Sequence, residues 1–204
     1  MGTENPRLIF HPGFRINFRY RGKSFNLASL TPADRAHIQS GLKYMSSESI
    51  RNRFMGSKRD FSDKELDYLT SLDGINHYAL GIEEAEGAHR GVAVIRMVRS
   101  EKDPGEAEVA ITIIDEYQRM GLGSLLLDLL ILAAGERQIS RFSFTFLPAN
   151  EAIVRLIQKK GIPVTERAHD SVRMVLSASQ VDLEEIRSRV RSVLPEIGSG
   201  HSET

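Results

Sequence analysis

Between a strand and a long apolar helix, the run Gln118-Arg119-Met120-Gly121-Leu122-Gly123-Ser124 offers the most specific chemistry in the sequence. A glycine-rich turn that opens a helix leaves several backbone N–H groups without partners, and the positive end of the helix dipole lies behind them. Such an end attracts anions, phosphates and diphosphates above all. Two glycines at this spacing equally suit a tight turn packed on a sheet, so the run alone leaves both readings open. Two familiar phosphate loops are excluded. A Rossmann loop would place a third glycine near position 126, where Leu126 stands, and would follow the first strand of its domain. A Walker loop needs Lys-Ser/Thr after its last glycine, whereas Gly123 is followed by Ser124 and Leu125.

Other chemistry-bearing residues are sparse. Glu106, Glu108, Ala110 and Thr112 share one side of a pleat just before the loop, where charges are ordinarily wet. His77 opens a strand and reads either as a base or as a hydrogen-bonded structural residue. With no cysteine, disulfide frameworks, thiolate zinc sites and cysteine nucleophiles are excluded. The 27 basic and 27 acidic residues balance, which argues against nucleic acid as a partner. Residues 1–30 carry Arg7, Arg15, Arg19, Arg21 and Lys23 against Glu4, a modest basic edge that reads as a solvated strand face. The most apolar run, Leu125 to Ala134, is about ten residues long and is interrupted by Asp128, against the roughly 20 that span a bilayer. The first residues lack the apolar stretch of a secretory signal. A soluble cytoplasmic protein with no membrane partner and no metal is expected, its oligomeric state open.

The elements that position the loop can be read from periodicity. Residues 14–27 alternate apolar and polar on either side of Gly22, a hairpin pattern. Thr31-Pro32 opens a helix over Ile38, Leu42 and Met45. A second short helix covers Ser46 to Phe54 with Ser47 as its candidate cap, and a third opens on the capping box Ser62/Glu65. From residue 76 the period becomes two, and three strands (77–82, 91–98, 106–114) should form a meander. The helix 121–137 is apolar almost all round and must be covered on more than one side. Strand 142–147, helix 149–160, strands 163–166 and 172–176, and an amphipathic helix near 179–193 complete the order. The fold class is α/β (α+β), a mixed central sheet with helices on both faces.

The motif Gln118-x-x-Gly121-x-Gly123, followed by a strand, Asn150 and a helix ending Lys159-x-Gly161-Ile162, resembles the acetyl-CoA-binding core of the GNAT superfamily. The element order agrees, and the resemblance covers about residues 25–177. It leaves residues 1–24 as an N-terminal extension with a hairpin strand, and 178–204 as a C-terminal helix with a disordered tail. Leu30-Thr-Pro-Ala-Asp-Arg35, Ser46-Ser-Glu-Ser-Ile-Arg-Asn-Arg-Phe54 and Asp73-Gly-Ile-Asn-His-Tyr-Ala-Leu80 are in turn similar to the catalytic domains of bacterial protein lysine acetyltransferases. Such domains are often fused to a regulatory or ligase-like partner, for which this chain has no room.

The resemblance implies acetyl-CoA as cosubstrate and an amine, preferentially a protein lysine, as acceptor. Backbone amides from Arg119 through Met120, Gly121, Leu122 and Gly123 to Ser124, with Gln118 before them, would cradle the CoA diphosphate. Ile113 and Ile114 would pair their backbone groups with the pantetheine arm, a peptide-like chain that extends a sheet edge. Asn150 would reach the same arm or serve as a helix cap. Glu108 matches the family's catalytic glutamate, or else it is a surface charge; it lies six strand residues before Ile114, roughly 20 Å at ~3.3 Å per residue. The parallel strands on either side of the cofactor cleft should splay apart. Phe54 and Met55, flanked by Arg51 and Arg53, fall in the helical region that forms the acceptor-side wall in the family, or else the aromatic serves core packing. Two departures stand out: Ile157 replaces the tyrosine that often protonates the leaving thiolate, and Met120 stands where a basic residue is common. A small-molecule amine acetyltransferase and a catalytically inactive acyl-CoA-binding protein are the alternatives.

Overall fold

The computed structural model describes residues 10–160, 164–167 and 171–195. The expected tail after Gly198 and the basic residue Arg7 lie outside them. Eight strands form one mixed sheet: β1 Arg15–Tyr20, β2 Lys23–Ser29, β3 His77–Glu84, β4 Gly91–Arg99, β5 Glu106–Ile113, β6 Arg141–Phe146, β7 Val164–Arg167 and β8 Val172–Ser177, in the spatial order β1-β2-β3-β4-β5-β6-β8-β7. The first five strands run antiparallel to one another in succession, so both the hairpin and the meander are present. The parallel β5–β6 pair is joined through a crossover helix, as parallel neighbours require.

Six helices accompany the sheet: α1 Arg35–Gly41, α2 Ser47–Phe54, α3 Asp63–Thr70, α4 Leu122–Gly135, α5 Glu151–Gln158 and α6 Leu183–Val193. They occupy both faces. On β5, Thr112 meets Arg53 of α2, whereas Ile111 and Ile113 approach Gly123 of α4 from the other side. Three expectations shift by a few residues. The cap of α2 is Ser46 rather than Ser47, because Ser46 has the extended backbone and its hydroxyl accepts from the Ser49 N–H. Pro32–Asp34 is a 3-10 turn leading into α1. Ala178–Gln180 is another, so α6 starts only at Leu183, on the cap Asp182.

The apolar surround of α4 is covered by the sheet and by α6. Leu122, Leu126, Leu127, Leu129 and Leu130 are all fully buried. Asp128, in the midst of them, forms ion pairs with Lys160, just beyond α5, and with Arg189 of α6 at 3.1 Å. Both Asp128 and Lys160 are nearly inaccessible (4% and 7% side-chain exposure), and the two pairs together pin three helices at Asp128. Phe10, Phe18 and Phe25 from the N-terminal side and Ile186, Val190 and Leu194 from α6 belong to the same core as the central sheet.

Candidate active site

The seam between β5 and β6 is paired at only three positions: Glu106 with Arg141, Ala107 with Phe142 and Glu108 with Ser143. Beyond them the strands diverge. β5 continues to Ile113 along β4, and β6 continues to Phe146 along β8. A cleft therefore opens where Glu108 stands. The Ile114 N–H donates to Val92 O at 3.0 Å, which fixes the alternation of the β4–β5 ladder. Backbone groups of Val109, Ile111 and Ile113 then face away from β4, into the cleft.

Two carboxylates on one side of the β5 pleat have opposite fates. Glu106 is ion-paired with Arg173 at 2.5 Å and with Arg141 at 3.8 Å. Glu108 is exposed and, among the described residues, has neither a hydrogen bond nor an ion pair. The nearby Arg53 donates from Nε to Thr112 Oγ1 at 2.8 Å. Burial lowers the affinity of that guanidinium for its proton, and the charge of Glu108 works the other way. His77 is no candidate base: its Nε2 lies 2.5 Å from Arg96 Nη1. Burial, and then the Arg96 charge, push the imidazole down to about 4.

At the far end of β5 the chain makes a 3-10 turn, Asp115–Tyr117, before α4. Tyr117 anchors it. Its hydroxyl donates to Glu84 at 2.5 Å, and Lys23 donates to that hydroxyl at 3.3 Å. Arg90 beside Glu84, together with Tyr117, brings that carboxyl down to about 2. Gln118 braces the turn from inside, with Nε2 donating to Ile113 O at 3.1 Å and to Ser49 Oγ at 3.0 Å. The Ser46 N–H donates to Asp115, so α2 is tied to this loop.

Then comes the cradle. Arg119 and Gly121 both adopt positive φ, +60° and +92°. A Cβ at Gly121 would lie 2.6 Å from Tyr20 Oη, and one at Gly123 3.2 Å from Ile113 Cδ1. Glycine is favoured at the first by its positive φ and by the close approach of Tyr20, and a Cβ at the second would need the Ile113 side chain to shift by a few tenths of an ångström. Among the described residues, the N–H groups of Arg119, Met120, Gly121, Leu122 and Gly123 have no hydrogen-bond partner. The Ser124 N–H, by contrast, donates to Gly121 O at 3.1 Å. Five consecutive free donors at a helix N-terminus form an anion receptor.

Several expected site residues turn out to be occupied. Ile114 uses its N–H on Val92 and its carbonyl on the Tyr117 N–H, so neither backbone group is available to an arm in the cleft. Ser124 drops out of the donor set for the same reason. The side chain of Gln118 is a brace, and Met120 packs against the core. Asn150 is the cap of α5, its Oδ1 accepting from the Ile153 N–H at 3.3 Å. Ile157 is fully buried, which explains an aliphatic residue there. Ile111, whose backbone faces the cleft, was not singled out by sequence. Ladder alternation counted back from the loop could have found it.

A cavity of about 100 Å³ lies between α1–α3 and the sheet and meets the site at Arg53, Thr112 and Ile114. Among the described residues no group of three His, Cys, Asp or Glu could hold a metal ion. Nor is any helix long and apolar enough to cross a membrane.

The model of the acetyltransferase (GNAT) family matches residues 47–162. Acetyltransferase Pat of Mycolicibacterium smegmatis is 33% identical over 141 residues, 69% of this chain and 41% of that protein. The chain thus spans about two fifths of the length of that curated relative. Among solved structures, the GNAT domain of PAT from S. lividans superposes with a TM-score of 0.72 at 24% identity, over 80% of this chain and 96% of that one. The structure of yncA from Salmonella typhimurium with its cofactor acetyl-CoA matches at 0.62 and 20% identity, over 76% and 94%. This chain belongs to the acetyltransferase (GNAT) family. The fold is the one these solved structures share.

Proposed function

We propose that the chain transfers the acetyl group of acetyl-CoA to a protein lysine side chain by direct attack assisted by Glu108. The observation that carries the reading is the end of β5–β6 pairing at Glu108 and Ser143, with the free carboxylate at the apex of the cleft. In this reading the free N–H groups of residues 119–123 take the diphosphate. The pantetheine amides pair with the cleft-facing Val109 carbonyl, Ile111 and the Ile113 N–H, which extends the sheet by one strand-like segment.

A lysine amine, with a pKa of about 10.4, must lose a proton before it attacks a thioester. Glu108 accepts that proton, directly or through one water. The amine nitrogen bonds to the acetyl carbon, the C–S bond breaks, and the second proton of that nitrogen passes to the departing CoA thiolate or to water as the amide forms. Because a thiol has a pKa of about 8.5, departure needs no side-chain acid, consistent with Ile157 in the α5 core. The exposed mouth at Glu108 suits a side chain presented on a folded protein. The segments Leu30–Arg35, Ser46–Phe54 and Asp73–Leu80 support the same acceptor.

The test is acetyl transfer by wild type and Glu108→Gln against small amines, lysine peptides and whole-cell proteins. Protein lysines are expected to be preferred, and Glu108→Gln to lose ~10²–10⁴-fold in turnover at unchanged acetyl-CoA affinity. Its rate should also climb more steeply with pH, since it depends on amine already deprotonated in water. Unchanged turnover in the variant would remove Glu108 as base. Tight acetyl-CoA binding without transfer to any amine would favour a binding protein.

A further inference from the structure

The turn between β1 and β2 reaches the anion cradle, although β1 is the far edge strand of the sheet. Tyr20 Oη lies 2.6 Å from the point where a Gly121 Cβ would stand, and Arg21 Nη2 lies 3.9 Å from it. Tyr20 and Lys23 face each other across a two-residue loop, and both loop residues have positive φ, +48° at Arg21 and +80° at Gly22. That is the signature of a type I′ turn, whose first central position favours Asn, Asp or Gly. Arginine there is held in the left-handed region, which disfavours a side chain with a Cβ.

Charge pairing separates Arg21 from the cations around it. Lys23 is engaged by Tyr117 and Glu116, Arg90 by Glu84 and Glu116, and Arg15 by Glu83. Among the described residues, Arg21 and Arg119 have no carboxylate partner. The Arg21 guanidinium instead lies 5.8 Å from the centre of the Tyr20 ring, at the rim of five free N–H groups. Met120, in the cradle itself, brings no charge.

We infer that Arg21 is a diphosphate-binding residue of the acetyl-CoA site, carried in from the β1–β2 hairpin, with Arg119 on the loop as its counterpart. The inference rests on the acetyl-CoA reading of the cradle. A guanidinium donates two parallel hydrogen bonds to phosphate oxygens, which supplies the charge that Met120 lacks. Tyr20 braces the hairpin against Gly121, so the arginine is placed by a strand pair instead of by a free loop end.

The test is Arg21→Asn, which removes the charge while giving the turn the Asn-Gly sequence its geometry favours. Binding of CoA and of dephospho-CoA is measured by calorimetry, and Tm without ligand. The variant should keep or raise its Tm, bind both ligands roughly tenfold more weakly, the size of one charge-assisted hydrogen bond, and depend less on salt. Arg21→Lys should recover part of the loss, and Arg191→Gln on α6 should match wild type. If wild type binds CoA and Arg21→Asn binds it equally well, the inference fails while the acetyl-CoA reading stands. A loss seen with CoA but absent with dephospho-CoA moves Arg21 to the 3′-phosphate and overturns the diphosphate assignment. If wild type binds neither ligand, the reading and the inference both fail.

Discussion

The N-terminus of α4 differs from those of α2, α3, α5 and α6. Those four are closed by Ser46, Ser62, Asn150 and Asp182, each accepting from a backbone N–H of the first turn. At α4, the longest described helix with 14 residues, the cap position is Gly121 and no side chain serves it. A side-chain cap contributes about 0.5–2 kcal/mol, so leaving it out is a local loss. α4 tolerates that loss because its stability comes from burial on nearly every side and from the Asp128 pairs. The difference leaves first-turn N–H groups of α4 unserved where those four helices have theirs closed; α1, also without a side-chain cap, continues instead from a 3-10 turn.

The largest effect should come from what replaces the missing cap. Asp128→Ala strands Lys160 as a buried unpaired charge and should lower stability by about 3–5 kcal/mol in urea unfolding. A loss below about 1 kcal/mol would mean that α4 is held by apolar packing alone. Next is Gly121→Ala, which puts a Cβ into Tyr20 Oη at positive φ. It should lower stability by about 1–2 kcal/mol and weaken CoA binding by roughly tenfold or more, because the donors are re-aimed. Full CoA affinity in this variant would break the comparison at its open end. The closed ends should respond differently: Ser62→Ala should cost about 1 kcal/mol and leave CoA affinity unchanged.

A pH dependence separates a group of the fold from the open end in another way. The imidazole of His77, at about 4 in the fold, lies below its ordinary 6.5. The unfolded chain therefore binds the proton first, and stability falls as pH drops from about 6.5 to about 4. Asp73 is the facing carboxylate and Arg96 the facing cation, with the Tyr68 ring tilted by 40° against the imidazole at 4.7 Å. His77→Gln should flatten the unfolding free energy across that window. An unaltered slope would assign it to other groups.

Local signals carried much of this into the sequence. The Ser62/Glu65 capping box, the alternation in β1 to β5 and the glycines before α4 are all short-range patterns, and each lies where it was read. What escaped is settled by contacts distant in sequence. Ser46 and Ser47 are equivalent as cap candidates until Asp115 takes the Ser46 N–H. Ile114 looks available until Val92 and Tyr117 occupy its backbone. Glu106 and Glu108 share a pleat face, and only Arg141 and Arg173, from β6 and β8, distinguish the clamped carboxylate from the free one. Tyr20 and Arg21 reach Gly121 across about 100 residues of chain, which no periodicity reports.

Amide hydrogen exchange of the whole chain, with and without saturating CoA, tests the open helix end most directly. The account predicts strong slowing at Arg119, Met120, Gly121, Leu122 and Gly123, with the first turns of α2, α3 and α6 unchanged. No slowing at those five amides while CoA is bound would contradict it.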